Sequence, residues 1–307
     1  MKKPTTIIFA VDDRPPILVT VFSGLQHVGI IAIVLVFPLL IGREAGLPAD
    51  RIADMLSMTM LVLGLAAVLQ SLGRRGIGAG FLCPSVCTAS YLAPSLLAVK
   101  AGGIGLAFGM TVFAGLVECA LSRLMRPLRP YLPPEISGLV VALIGVNLGS
   151  LAFRNLLGVS LPQAQQLPHF TVAAVTLGTM VGLSVWSRGK ARLLCALIGM
   201  AAGYAASAAG GLFSAEDLRT LQAAETVSLP RLAATGWAWD GSLAVAFIVA
   251  AVANCVRTIG DVTICQKIND ADWVRPEMSS VSGGVLANGM ANVLGGLAGA
   301  HGVSTYT

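Results

Sequence analysis

ILVTVFSGLQHVGIIAIVLVFPLLI, Ile17 to Ile41, runs for 25 residues with no acidic, Lys or Arg side chain. As a helix rising 1.5 Å per residue it exceeds the roughly 30 Å of hydrocarbon in a bilayer. It is too long for a cleavable signal and lacks a small-residue cleavage site before a polar mature region, so it reads as a first membrane span. Comparable uncharged runs recur to the end of the chain. Of 307 residues 55% are hydrophobic and 11% charged, with a mean hydropathy of +0.80, whereas a soluble domain carries about 25% charged residues. The chain is therefore expected to be an all-α polytopic membrane protein.

Hydropathy with charge punctuation predicts spans near 17–42, 52–73, 77–99, 102–122, 136–157, 169–187, 191–213, 242–266 and 279–299, and the start of a tenth near His301. The Gly-rich end leading into GVSTYT reads as a chain cut off at that tenth span. Counting Lys and Arg outside the spans gives thirteen on the side of the N-terminus and six on the other, which predicts a cytoplasmic N-terminus. The net charge of +5 is spread loop by loop with no aromatic-interleaved basic patch, so nucleic acid is not an expected partner. The longest connection, 214–241, is expected outside, with Trp237 and Trp239 at headgroup level.

The six cysteines fall in or beside apolar runs and suggest neither a disulfide framework nor a metal site. Cys83 and Cys87 are expected to share a helix face and to pack. GIGAG at Gly76 and GGIGLAFG at Gly102 imitate dinucleotide loops, but no βαβ unit surrounds them. No nucleophile elbow, Walker loop or paired catalytic carboxylates are present, so an enzyme is not expected.

Seven spans before the long loop and a second start after it suggest an inverted repeat, whose binding site lies near the midplane on Gly- and Pro-interrupted segments. GAGFLCPSVCTASYLAPSLL in span 3 and GAHGVSTYT opening span 10 fit that description, each with a tyrosine, Tyr91 and Tyr306. Within span 8, VRTIGDVTIC places Arg257 and Asp261 at i and i+4, on one helical face, where pairing lowers the cost of burying either. They read either as a lock on helix packing or as a polar wall of a substrate site. Gln26 and His27 mark the polar side of span 1. Glu118, near the predicted cytoplasmic end of span 4, is expected to snorkel to the interface. Asn288 and Asn292, four apart among small residues, are expected to form interhelical hydrogen bonds.

Four stretches together resemble the nucleobase-ascorbate transporter family, the xanthine/uracil permeases: GLQHVGIIAIVLVFPLLI, PPEISGLVVALIGVNLG, VRTIGDVTICQKINDADWVRP and GVLANGMANVLGGLAGAHGVSTYT. The resemblance implies fourteen spans in two inverted sevens. Residues 1–133 would supply spans 1–4 of a core domain, 134–213 spans 5–7 of a gate domain, 214–241 an external loop, and 242–307 further core. It implies uptake of purine or pyrimidine bases, coupled to H+ or Na+, by a homodimer in the cell (inner) membrane, and the expected substrate is a purine such as xanthine or urate. Carried over by residue, Gln26 and His27 match the Gln-His pair of span 1, and Asp261 matches the polar position one turn after the substrate-binding acid of span 8. Arg257 stands in the place of that acid. Ser90 and Tyr91 fall near the extended piece of span 3. Tyr306 and Thr307 are site candidates from the matching interrupted stretch of span 10, and the Gln, Glu or Ser followed by Asn that the family places in span 10 would come just after them. Arg257 removes an acceptor for ring N–H groups and favours a more anionic ligand. The alternatives are a small-anion carrier of the same architecture and a non-transporting remnant.

Overall fold

The computed structural model describes residues 2–5, 7–73, 76–128, 163–212 and 236–306, and isolated positions at 139, 142, 146, 149, 153, 154, 156–158, 219 and 231. Most of predicted span 5, most of loop 214–241, and Arg74, Arg75, Arg129 and Thr307 lie outside the described residues. The helices are α1 (Ile17–Val34), α2 (Val36–Glu44), α3 (Ala49–Leu72), α4 (Leu92–Gly102) and α5 (Ile104–Leu128), then α6 (Gln163–Trp186), α7 (Lys190–Leu193), α8 (Cys195–Ala209), α9 (Ala244–Asn269) and α10 (Met278–Ala298). Two short strands, β1 (Ser85–Cys87) and β2 (Val303–Thr305), and two 3-10 turns, Ala89–Tyr91 and Gly241–Leu243, complete the described elements. Five described helical segments, 17–44, 49–72, 104–124, 166–186 and 241–269, are long and apolar enough to cross a membrane. The protein is a multi-pass membrane protein.

The first predicted span breaks at Leu35 because Pro38 has no N–H for the Val34 carbonyl and its ring crowds that turn; Leu39 N–H then bonds to Leu35 O at 3.1 Å and α2 resumes. Span 3 carries the expected interruption, and it takes up more than half of the predicted 77–99. Residues 77–88 are not helical, a 3-10 turn covers Ala89–Tyr91, and helix begins only at Leu92. Cys83 and Cys87 accordingly share no helix face.

The chain divides into two units. One comprises Met1–Asp13, Ile31–Val141 and Pro230–Thr307; the other comprises Arg14–Ile30 and Ala142–Leu229. Within the second unit α6 and α8 pack through small residues, and a Cβ at Gly199 would lie 3.2 Å from Thr176 O.

The first unit carries both strands. Its helix α9 buries Phe247, Ala250, Ala251, Asn254, Thr258 and Asp261, a stripe at helical spacing, and exposes Val245, Ile248, Val249 and Val252 on the opposite face. The exposed face is apolar and the buried face holds the polar groups, the arrangement hydrocarbon solvent requires. Helix α5 lies against α10 at backbone distance. A Cβ on Gly289 would sit 2.8 Å from Cys119 N and 2.9 Å from Gly115 O, so this approach needs glycine. Gly299 ends α10 with φ +83, and Ala300 N–H returns to Gly295 O at 2.7 Å, turning the chain into β2.

Candidate functional site

An unwound segment at membrane depth must pair every backbone N–H and C=O within the protein. The two unwound segments solve this for each other. Strands β1 and β2 run antiparallel, Ser85 opposite Thr305, Val86 opposite Ser304 and Cys87 opposite Val303, and all six residues are buried. Thr88 N–H donates to Gly302 O at 3.1 Å and Tyr306 N–H to Pro84 O at 2.9 Å. The alternation of an antiparallel ladder then turns the N–H and C=O of Val303 away from β1.

That outer edge is closed by side chains from two helices. Asn292 on α10 accepts from Val303 N–H with Oδ1 at 2.6 Å and donates Nδ2–H to Val303 O at 3.0 Å, standing in for a third strand. Asn254 on α9 donates to the same carbonyl at 3.0 Å. Both amides also donate to Glu118 on α5, Asn254 to Oε1 at 2.8 Å and Asn292 to Oε2 at 3.0 Å. Asn288 adds a bond to Oε2 at 2.9 Å and the Tyr91 hydroxyl one to Oε1 at 2.5 Å. Glu118 is thus the centre of a buried polar cluster and does not snorkel. Helix α5 continues to Leu128, past the 122 at which the predicted span ended, which puts Glu118 in the helix interior. Asn288 and Asn292 do bond between helices as expected, with the carboxylate of Glu118 as their shared acceptor.

Thr305 carries the strand pair to α9. Its Oγ1–H donates to Asp261 Oδ2 at 2.8 Å and lies 3.3 Å from Thr258 Oγ1. Arg257 Nε is 3.8 Å from the same Asp261 oxygen, both side chains being largely buried, so the expected pair exists as an ion pair longer than a hydrogen bond. The Arg257 guanidinium has no hydrogen-bond acceptor among the described residues. At the crossing, Ser85 Oγ and Ser304 Oγ are buried without a partner among them. An under-used guanidinium, a carboxylate and two unpartnered hydroxyls on buried elements can accept a planar polar ligand.

The remaining site candidates are distributed as follows. Tyr91 is fully buried, its ring stacked on Phe247 at 6.4 Å and its hydroxyl taken by Glu118. Ser90 is half-buried in the 3-10 turn capped by Thr88 Oγ1, and Tyr306 follows β2. Gln26 and His27 belong to the second unit, where Gln26 Oε1 accepts from Leu197 N–H at 3.4 Å and so fills one of the open donors in the first turn of α8. Sequence reasoning missed Asn254 and Thr305, and it also missed His301, whose Nε2–H donates to Thr88 O at 3.0 Å behind the sheet. A polar residue recurring on the α9 stripe was a readable signal for Asn254; nothing in the sequence marked its target.

A family described as the Permease family matches residues 18–307. Among curated proteins, the chain is 27% identical over 299 residues to the xanthine permease XanP of Escherichia coli (strain K12), covering 92% of this chain and 64% of that protein. It is 30% identical over 200 residues to the uric acid permease PucJ of Bacillus subtilis (strain 168), covering 62% of this chain and 44% of PucJ. The xanthine permease XanQ of Escherichia coli (strain K12) is 23% identical over 316 residues, 98% of this chain and 67% of XanQ. The chain thus spans just under two thirds of the length of XanP.

Proposed function

The chain belongs to the Permease family, the nucleobase-ascorbate transporters of the xanthine/uracil permease type, and from that premise we propose that it is a secondary transporter for an oxidised purine, xanthine or urate. The observation that carries the choice of base is Arg257 beside Asp261 and Thr305, a buried cation with no hydrogen-bond acceptor among the described residues, next to a strand crossing with unpartnered hydroxyls. A purine carrying two or three carbonyl oxygens and an acidic ring N–H offers acceptors to the guanidinium and donors to the carboxylate. Adenine has no carbonyl oxygen. The names of XanP and PucJ, a xanthine and a uric acid permease, support the same class, and support a transporter over an enzyme. The reading includes two inverted sevens of spans, a coupling ion, a homodimer and a cytoplasmic N-terminus in the cell membrane. In it, Asp261 and Arg257 contact the base directly, with Ser90 and Tyr306 at its rim.

Thermal stabilisation of the purified protein in mild detergent tests this, because a ligand that binds only the folded state stabilises it, by about 2.7 kcal/mol at a hundredfold excess over Kd. Xanthine or urate is expected to raise Tm, uracil and adenine less, and Arg257→Gln is expected to weaken urate more than uracil. Stabilisation by sulfate with no effect of any base would favour the small-anion reading. No stabilisation by any base would refute the proposal.

A further inference from the structure

Among the described residues Glu118 has a full set of donors and no cation beside it. Each carboxylate oxygen accepts two hydrogen bonds, Oε1 from Tyr91 and Asn254 and Oε2 from Asn288 and Asn292. Four donors and no acceptor are the surroundings of an ionised carboxylate. Among the described residues its charge is nevertheless offset only by neutral dipoles, at a site with no exposure to solvent. Among the described residues the titratable groups around it are Tyr91 ahead of α4, Cys119 on α5 and Cys255 on α9, all of which ionise to anions; α10 contributes the amides of Asn288 and Asn292. A proton is the remaining way to neutralise it.

A protonated carboxyl must donate, so one of the four partners must become an acceptor. The Tyr91 hydroxyl could accept only by turning its own O–H away from Glu118, and that O–H makes no other hydrogen bond among the described residues. Asn292 cannot turn, because its Oδ1 holds Val303 N–H and its Nδ2 holds Val303 O. Asn254 cannot turn without losing Val303 O. Asn288 makes a single hydrogen bond through its amide, to Glu118, and its Oδ1 is buried without a partner among the described residues. Turning this amide by half a revolution brings Oδ1 to Glu118 Oε2 and exchanges one unpartnered amide atom for another.

We infer that Glu118 is a proton-binding site and that Asn288 is the switching amide that accommodates the proton. In the step, a proton from solvent adds to Oε2, the Asn288 Nδ2–H to Oε2 bond is lost, and an Oε2–H to Asn288 Oδ1 bond forms. The effect reaches the strand crossing through Asn254 and Asn292, which donate to Glu118 and to Val303 O together. Val303 is two residues from Thr305, the donor to Asp261. Charge on Glu118 therefore polarises the amides that hold β2, and a ligand at Asp261 shifts the proton equilibrium. This last link rests on the reading of the crossing as the ligand site; the proton site does not.

Infrared difference spectroscopy on the detergent-solubilised protein, titrated from about pH 9 to about pH 5, reads a buried carboxyl directly. A protonated-carboxyl C=O band is expected to appear on acidification and to be absent in Glu118→Gln. In Asn288→Ala the band is expected to move to higher frequency, because the acid loses its acceptor. The Asn288→Ala arm decides the assignment if Glu118→Gln does not fold. A band that survives in Glu118→Gln, a band unmoved in Asn288→Ala, or no titrating band in wild type would overturn the inference. Repeating the titration with xanthine separates the two claims: a Glu118 band unmoved by a base that does bind would refute the coupling to the crossing and leave the proton site standing. Absence of base binding alongside a titrating Glu118 band would count against the proposed function only.

Discussion

Truncating Asn292 and Asn254 to alanine deletes the same atoms from two residues with the same pair of targets, yet the structure predicts unequal costs. In Asn254→Ala, Val303 O keeps Asn292 and Glu118 Oε1 keeps Tyr91, so two hydrogen bonds are lost and no backbone group is orphaned. Interhelical bonds in membranes contribute about 0.6–2 kcal/mol each, which gives a loss of about 1–3 kcal/mol. In Asn292→Ala the corresponding targets also keep a partner, Asn254 on Val303 O and Asn288 on Glu118 Oε2. Val303 N–H does not: Asn292 Oδ1 at 2.6 Å is its acceptor, and Val303 is 0% exposed. An unsatisfied buried donor costs about 1–3 kcal/mol more. Asn292→Ala is thus expected to be less stable than Asn254→Ala by about 1–3 kcal/mol, since the packing lost is the same. Reversible unfolding in mixed detergent micelles, with helix content as the readout, measures the difference. Equal stabilities, or Asn254→Ala being the weaker protein, would refute the assignment of Asn292 as the closure of the β2 edge.

Gly289→Ala is expected to lower Tm through overpacking of about 1–3 kcal/mol, because its Cβ meets Cys119 N at 2.8 Å, whereas Gly64→Ala, with nothing within 4 Å, is expected to be neutral or to raise Tm; thermal melts of the pair check this. Thr305→Val is expected to weaken binding of xanthine or urate with a smaller effect on the ligand-free Tm, since the bond it removes ends on the charged Asp261 at the proposed contact; calorimetric titration reads it, and unchanged affinity would remove Thr305 from the site. At the N-terminus, the Lys2 backbone N–H donates to Asp270 Oδ1 at 3.0 Å, and this bond, with that from Asp272 N–H, holds the Asp270 carboxyl below the usual carboxylate range. A depressed folded pKa means docking of the arm is fully supported above the ordinary carboxylate pKa and is lost as pH falls through the folded value. Acid is therefore expected to release residues 2–5 from the loop after α9, and Asp270→Asn to release them at neutral pH, as followed by a fluorophore on the arm; an arm that stays docked in the variant would contradict this.

The sequence by itself determined the class and much of the helical layout, because hydrocarbon solvent demands long uncharged helices and nearly every charge must sit between them. It also determined that Arg257 and Asp261 share a face, since i,i+4 proximity is a property of one helix, and that the Gly-, Pro- and Ser-containing stretches of spans 3 and 10 are unwound. Only the tertiary structure decided what those unwound segments pair with and what closes their edge. Glu118 is joined to Tyr91, Asn254, Asn288 and Asn292 from 27, 136, 170 and 174 residues away, separations at which no periodicity carries information. The same carboxylate would be an interfacial residue on a shorter helix. It becomes the centre of the cluster because α5 runs on to Leu128 and α10 approaches close enough, across Gly115 and Gly289, for two asparagines to reach it.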